Sequence, residues 1–421
     1  MTMSADAAWL DAVEEVLALS HLWQPDQLAD MINTALDRLG AQATIYQVDH
    51  EQRLLRPLPR SGRPTPEPPA LDITLGGRAF TTVRSLPAGG EVNRWWVPII
   101  NGTDRLGVVE FVLADGAAER DPRLQARLEM FAGLVGHLLT TTEPRGDHLQ
   151  RMRRSRPMST AAELLLTVLP PLTASTANLV VSAVLEPCYE VGGDGYDYAL
   201  DGSRPQVLVL DAVGRGLKAG LACVVVVSAI RAARRAGCDL VQQARAADAA
   251  LQEQFPDARF ATAVLAELDV GTGRLRYLNA GHPPPLLLRG GRFVRELSGG
   301  RRMPLGVDDD AVEMATETLE PGDRLLVYTD GVTEARDADG EPFGVGRLLD
   351  FIQRHAVDGM PAPETLRRLA HAVAAHQQAP PADDATLLLL EWSRAAVAQV
   401  VPDSIEPDSR PPLRNTSGST S

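Results

Sequence analysis

Cysteine is scarce in this 421-residue chain: only Cys188, Cys223 and Cys238 occur, an odd number without C-x-x-C spacing. That excludes a disulfide framework and a cysteine-rich zinc site, so the three read as reduced thiols. Positive charge is also in deficit, with 41 Lys+Arg against 55 Asp+Glu and a formal charge of −14. Phosphate backbones are gripped by basic surfaces, so the balance argues against a nucleic-acid partner. Long apolar runs are missing: Leu221 to Ile230 spans about ten residues, roughly half of what a helix needs to cross a bilayer, so no membrane span is expected. Met1 to Leu10 lacks the basic start and apolar run of a secretory signal, and a cytoplasmic location is the expectation.

What is present divides into segments. Trp9 to Leu39 carries apolar residues at three- and four-residue steps, predicting two helices joined near Pro25 and closed at Gly40. Ala43 to Val48, Leu71 to Leu75, Trp95 to Ile100 and Leu106 to Leu113 are short and β-rich, predicting an antiparallel sheet. Pro57 to Pro69 reads as a surface loop, because proline cannot serve a central strand. Pro122 to Leu139 returns to a helical pattern, which completes an α+β unit over residues 1–140. Residues 141–171 read as a linker with Arg145, Arg151, Arg153, Arg154 and Arg156, followed by a helix from Ala161 stopped at Pro170 and Pro171. Strand and helix signals then fill 172–392. Residues 393–421 have little to bury and read as a disordered tail.

Four acidic positions in the second half stand where apolar strands end in glycine turns. Asp194 follows Gly192-Gly193; Asp211 ends the strand Gln206 to Leu210; Asp330 ends Arg324 to Tyr328 and precedes Gly331; Asp383 and Asp384 precede the strand Ala385 to Trp392. A single Asp-Gly turn is ordinary. Four in one domain point to a carboxylate cluster, which repels itself unless protons or cations compensate. Oxygen-only donors favour hard ions such as Mg²⁺ or Mn²⁺, and the absence of His and Cys at these strand ends argues against zinc or copper. Two such ions would ready a water for in-line attack on phosphorus without a nucleophilic side chain. No P-loop and no G-x-S-x-G elbow is present.

EVGGDGYD (190–197), DAVGRG (211–216), NAGHP (279–283), PLGV (304–307), PGDRLLVYTDGVTE (321–334) and DDAT (383–386) occur in this order. Together they resemble the SpoIIE-type bacterial serine/threonine phosphatases, the branch of the type 2C metal-dependent (PPM) phosphatases that includes the RsbU-like stress regulators. The resemblance covers Ala161 to Trp392. It implies an αββα-sandwich phosphatase domain with two Mn²⁺ or Mg²⁺ ions, held by Asp194, Asp211, the Ala212 carbonyl, Asp330 and one of Asp383 and Asp384, with Asp383 preferred. Gly193, Gly195, Asp197, His282, Gly331 and Asp384 would support the site or face the substrate. Two departures stand out: Ala212-Val213 and Arg215 replace a stretch that usually holds a His, and Gly195 stands where an aromatic residue is frequent. Lys218 reads equally as a phosphate contact at a helix start or as a solvated side chain.

The first 140 residues look like a GAF sensor domain with a small ligand, although no cysteine there could attach a bilin. The implied substrate is a phosphorylated STAS-type anti-anti-sigma protein. A homodimer of the sensor could act on the phosphatase through Ala161 to Pro171. The rival readings are a ligand-sensing scaffold that has lost turnover, and a two-metal phosphodiesterase.

Overall fold

A computed structural model describes residues 5–89, 93–113, 121–186, 188–190, 192–255, 257, 259–309, 312–357, 359–377, 383–402 and 404. In the first unit, helices α1 (Ala5–Leu19) and α2 (Leu28–Asp37) precede strands β1 (Ala41–Val48) and β2 (Leu55–Pro57). Helix α3 (Leu75–Thr82), strands β3 (Leu86–Ala88), β4 (Asn93–Asn101) and β5 (Asp104–Leu113), and helix α4 (Pro122–Thr142) follow. The sheet is antiparallel in the order β2-β1-β5-β4-β3. Alternation along β1 explains how both faces are covered. Ala41, Ala43 and Ile45 pack with Val16, Ile32 and Phe131 of α1, α2 and α4, whereas Tyr46 and Val48 pack with Ala79 and Phe80 of α3.

The strand expected at Leu71 to Leu75 is instead a turn and the start of α3. Thr74 caps that helix by accepting the Gly77 N–H at 3.1 Å, so local capping overrides β propensity. The basic stretch after α4 is folded against the chain rather than solvated. Helix α5 (His148–Met152) buries Leu149 in the first core. Arg153 donates to the Val48 carbonyl at 3.1 Å, Arg154 pairs with Glu163 at 2.6 Å and Arg156 with Glu190 at 2.9 Å. Helix α6 (Thr160–Val168) begins at Ser159, whose side chain accepts from Ala162 N.

The second unit has four layers. One sheet joins β8 (Asp194–Ala199), β9 (Gln206–Ala212), β10 (Ala261–Asp269), β11 (Arg274–Ala280) and β14 (Arg301–Arg302), with β15 (Ala315–Thr318) also on β11. The other runs β13 (Arg292–Glu296), β12 (Leu286–Arg289), β16 (Arg324–Tyr328), β17 (Ala385–Glu391), β7 (Val180–Glu186) and β6 (Thr173–Ser175). Strand β9 shows why its run is almost wholly apolar. Val207 and Val209 face the second sheet, while Leu208 and Leu210 face α6, α7 (Leu217–Arg235) and α8 (Leu240–Gln254). In β17, Leu388 and Leu390 meet the first sheet, and Leu387 and Leu389 meet α10 (Gly344–Val357) and α11 (Ala362–His376). Helix, sheet, sheet, helix is the αββα sandwich, within a mixed α+β chain.

Between the units lies a buried ionic cluster. Arg367 of α11, 1% exposed, donates to both Glu364 oxygens at 2.8 Å and to the Gln52 carbonyl at 3.0 Å, and also pairs with Asp72. Arg105 of β5 reaches Glu364 at 3.5 Å and lies over the Phe80 ring.

The disordered tail expected over residues 393–421 is folded at its start. Arg394–Ala398 forms helix α12, capped by Ser393, and Ala396, Val397 and Val400 belong to the second sheet's outer core. A sequence poor in long apolar runs still supplied three small apolar residues at helical spacing. Residues 405–421 of the expected tail lie outside the described residues. No described helix is long and apolar enough to cross a membrane.

Candidate active site

The site is assembled at matching ends of the two sheets. In the first sheet Asp194 of β8 stands in register with Asp211 of β9, and Asp211 with Thr262 of β10, giving a row across three strands. From the second sheet, Thr329 at the end of β16 donates its hydroxyl to Asp194 Oδ2 at 2.7 Å. The same hydroxyl accepts the Thr386 N–H at 2.9 Å, so one buried threonine ties β8, β16 and β17 together. Asp330 follows directly as the first residue of a short helix, α9 (Asp330–Thr333), and Asp383 and Asp384 precede β17.

Asp384 is committed to the backbone. Its Oδ2 accepts from Gly192 N at 2.6 Å, Gly193 N at 2.8 Å and Asp194 N at 3.4 Å, which holds the glycine turn that presents Asp194. Asp383 is exposed, and its Oδ1 accepts the neighbouring Asp384 N–H at 3.0 Å. That difference separates a buried carboxylate that shapes the loop from an exposed one.

The glycines follow from close approach. A Cβ on Gly193 would fall 2.3 Å from the Ala212 carbonyl oxygen, so only glycine leaves that oxygen open; a Cβ on Gly331 would fall 1.8 Å from the Asp384 carbonyl oxygen. At Gly195 the added Cβ would meet Cys223 Sγ at 2.4 Å. The thiol of α7 therefore fills the space that a larger residue at 195 would need. Gly195→Ala is expected to destabilise the chain by about 1 to 3 kcal/mol through overpacking, and Cys223→Ala in the same chain to recover most of that loss. Urea unfolding of the two single variants and the double variant checks the coupling; simple additivity would contradict it.

Electrostatically the cluster resists ionising. Burial first, then the charges of Asp211 and Asp384, push Asp194 well above the usual carboxylate range. Burial, then Asp330, Asp383 and Asp384, push Asp211 up to about 7. Asp330 and Asp384 are raised by burial too, with Asp383 adding to both. Among the described residues no three carboxylate, imidazole or thiol groups already close around one point. The donor set nonetheless suits a hard cation: all oxygen, mutually repelling, with a carbonyl left open by Gly193.

His282 is buried, its backbone N–H donating to Asn279 Oδ1 at 2.8 Å and its Nδ1 bonded to Thr262 Oγ1 at 2.8 Å. Burial holds it neutral, with a pKa lowered to about 3. It supports the residue beside Asp211 and is not placed as a proton donor. Asp197 does not join the cluster. Three residues beyond Asp194 it points from the opposite face of β8, where Arg231 at 2.7 Å and Arg234 at 2.8 Å of α7 hold it. Lys218 is exposed on the first turn of α7. Thr329, Thr386 and Thr262 were not singled out from the sequence; Thr329 directly precedes Asp330 and Thr386 lies two residues after Asp384, but Thr262 meets Asp211 only through strand register.

Comparison with known proteins adds to this geometry. Residues 201–393 match the family described as stage II sporulation protein E, a stretch that holds Asp211, Asp330 and Asp383 and begins after Asp194. Phosphoserine phosphatase RsbP of Bacillus subtilis is 28% identical over 212 residues, 48% of this chain and 49% of that protein. Phosphoserine phosphatase RsbU of the same organism is 23% identical over 234 residues, 55% of this chain and 68% of that protein. The solved PP2C domain of SiaA from Pseudomonas aeruginosa is 23% identical with a TM-score of 0.48, covering 60% of this chain and 99% of that one. The chain thus spans about half the length of RsbP and about two thirds of RsbU.

Proposed function

Since the second unit of this chain is a SpoIIE-type, PP2C-like phosphatase domain, we propose that the protein is a divalent-metal-dependent phosphatase acting on phosphoserine or phosphothreonine in a regulatory protein. What supports the reading is that Asp211 stands in register with Asp194, feels the charges of Asp330, Asp383 and Asp384 from the other sheet, and that the Thr329 hydroxyl of that sheet bonds Asp194.

Asp194, Asp211, Asp330 and Asp383, with the Ala212 carbonyl, would hold two Mn²⁺ or Mg²⁺ ions. When bound, such ions neutralise phosphoryl oxygens and acidify a water for in-line attack on phosphorus. The chain's own contribution is placement. Asp384 fixes the 192–194 turn by accepting its N–H groups, Thr329 orients the Asp194 carboxylate, and neutral His282 holds Thr262 beside Asp211. No Ser or Cys nucleophile is required.

The substrate implied by the family resemblance is a phosphorylated STAS-type regulator, met in the cytoplasm. The first unit would serve as a GAF-like sensor: its sheet carries a cavity of about 280 Å³ lined by Gln42, Thr44, Tyr46, Arg60 and Glu110. Phosphate release from a phosphoserine peptide tests the activity. Release is expected with Mn²⁺ or Mg²⁺, to stop on chelation and to return on adding the ion. Release that is indifferent to chelation would overturn the metal dependence, and none under any ion would leave the sensing-scaffold reading instead.

A further inference from the structure

Helix α7 carries apolar residues on the side that a surface helix normally keeps polar. Its inner face buries Ala219, Ala222, Cys223, Val226, Val227 and Ile230 against the first sheet. At 100° per residue, Leu217, Leu221, Val224, Val225 and Ser228 fall within one sector opposite that face. Leu217 is 46% exposed and Leu221 41%, whereas Val224 and Val225 are half-buried against the core beneath the helix. Between Lys218 and Arg231 the helix has no charged residue. Two exposed leucines one turn apart on the outer side of a surface helix, continuous with exposed Val213 and Phe260, make an apolar patch rather than a scattered residue. A lone exposed leucine would carry no such meaning. The two leucines lie about 6 Å apart along the helix at a rise of about 1.5 Å per residue.

The stripe begins at the candidate active site. Val213, 38% exposed, follows Ala212, and Leu217 follows Gly216, so the loop leaving Asp211 runs directly into it. Phe260, 37% exposed, adjoins the start, because its carbonyl accepts the Val213 N–H at 3.1 Å. Lys218, beside Leu217, is the only lysine in a chain of net charge −14. An exposed ammonium next to an apolar stripe complements a phosphorylated segment with apolar neighbours.

We propose that the outer face of α7 is the docking surface for the polypeptide that bears the phosphorylated residue, and that it selects apolar residues flanking that residue. The inference rests on the phosphatase reading above. The stripe's continuity with the 213–216 loop beside Asp211 favours the segment that has to reach the site over a second copy of the chain.

The test uses the full chain with Mn²⁺, p-nitrophenyl phosphate, and two phosphoserine peptides of equal length and charge. One peptide has Leu and Val flanking the phosphoserine; the other has Ser and Gly there. The wild type is expected to favour the apolar peptide by about tenfold in kcat/KM, in line with burying two half-exposed leucines. Leu217→Ser/Leu221→Ser is expected to erase that preference while turning over p-nitrophenyl phosphate at the wild-type rate. Lys218 provides a second measurement. With cations withheld, the apolar peptide is expected to slow acylation of its amine severalfold and the polar peptide to leave it unchanged, and this decides alone if the double variant loses p-nitrophenyl phosphate turnover.

Equal kcat/KM for both peptides in the wild type, or a preference that survives the double substitution, overturns the proposal. A shift from dimer to monomer in the double variant with the preference retained assigns the stripe to a second copy and overturns it as well. No cation-dependent turnover of p-nitrophenyl phosphate by the wild type removes the phosphatase reading itself, and this inference with it.

Discussion

Asp211→Asn is expected to reduce phosphate release from a phosphoserine substrate by roughly a thousandfold, because it removes one charged donor from the proposed cation site. The same substitution should have an opposite effect on the cation-free chain. Asp211 titrates near 7 in the folded protein against an ordinary value of 3.8, so between those limits the folded chain keeps a proton that the unfolded chain has released. Stability linked to this group is therefore fully present below about pH 4 and is lost as the pH rises through about 7. Asn cannot ionise, and it also relieves Asp194 of a neighbouring charge. In chelator, the urea midpoint of the wild type should fall between pH 4 and 7, and that of Asp211→Asn should fall less. Parallel profiles would contradict the repulsion argument, and an active Asp211→Asn would contradict the cation site. Added Mn²⁺ should raise the wild-type midpoint by mass action.

Arg367→Ala is expected to cost about 3 to 5 kcal/mol, the penalty for removing one partner from a buried charge cluster. The guanidinium uses both arms on Glu364, spans to the Gln52 carbonyl of the first unit and pairs with Asp72. Without it, Glu364 keeps Arg105 at 3.5 Å and Arg368 at 2.7 Å, but the Gln52 carbonyl loses its donor. Arg367→Lys should recover little, since an ammonium cannot reproduce the fork. The measurement is equilibrium unfolding in urea together with limited proteolysis between the units; a loss below about 1 kcal/mol with unchanged cleavage would show that the cluster contributes nothing net. Helix α11 also packs on β7 and β17, and β17 follows Asp383 and Asp384. Activity of Arg367→Ala therefore reports whether the first unit communicates along this helix.

The strands that carry the candidate ligands were legible because each is a short apolar run ended by Asp and Gly, and such a run buried on both faces has one stable environment, the middle of a layered sandwich. Helix α7 was legible from its length and composition. Leu71 to Leu75 misled because its composition suits a strand, while the Thr74 hydroxyl closing on Gly77 is a contact that composition does not encode. The start of α12 was missed for the opposite reason: Ala396, Val397 and Val400 are too small to stand out until a neighbouring core receives them.

Asp197 shows the limit most directly. Its proximity to Asp194 in the chain suggested a shared site, but alternation along β8 turns the two carboxylates to opposite faces, one to the cluster and one to Arg231 and Arg234. Likewise Asp383 and Asp384 are indistinguishable as letters, and only the N–H groups of residues 192–194 commit Asp384 to the loop. Sequence by itself determined which strands end in carboxylates and which chemistry those groups suit, because residue type and strand period are local properties. Which carboxylate faces which neighbour, and that a threonine from one sheet fastens an aspartate of the other, was decided by tertiary structure, because register and sheet packing join residues more than a hundred positions apart.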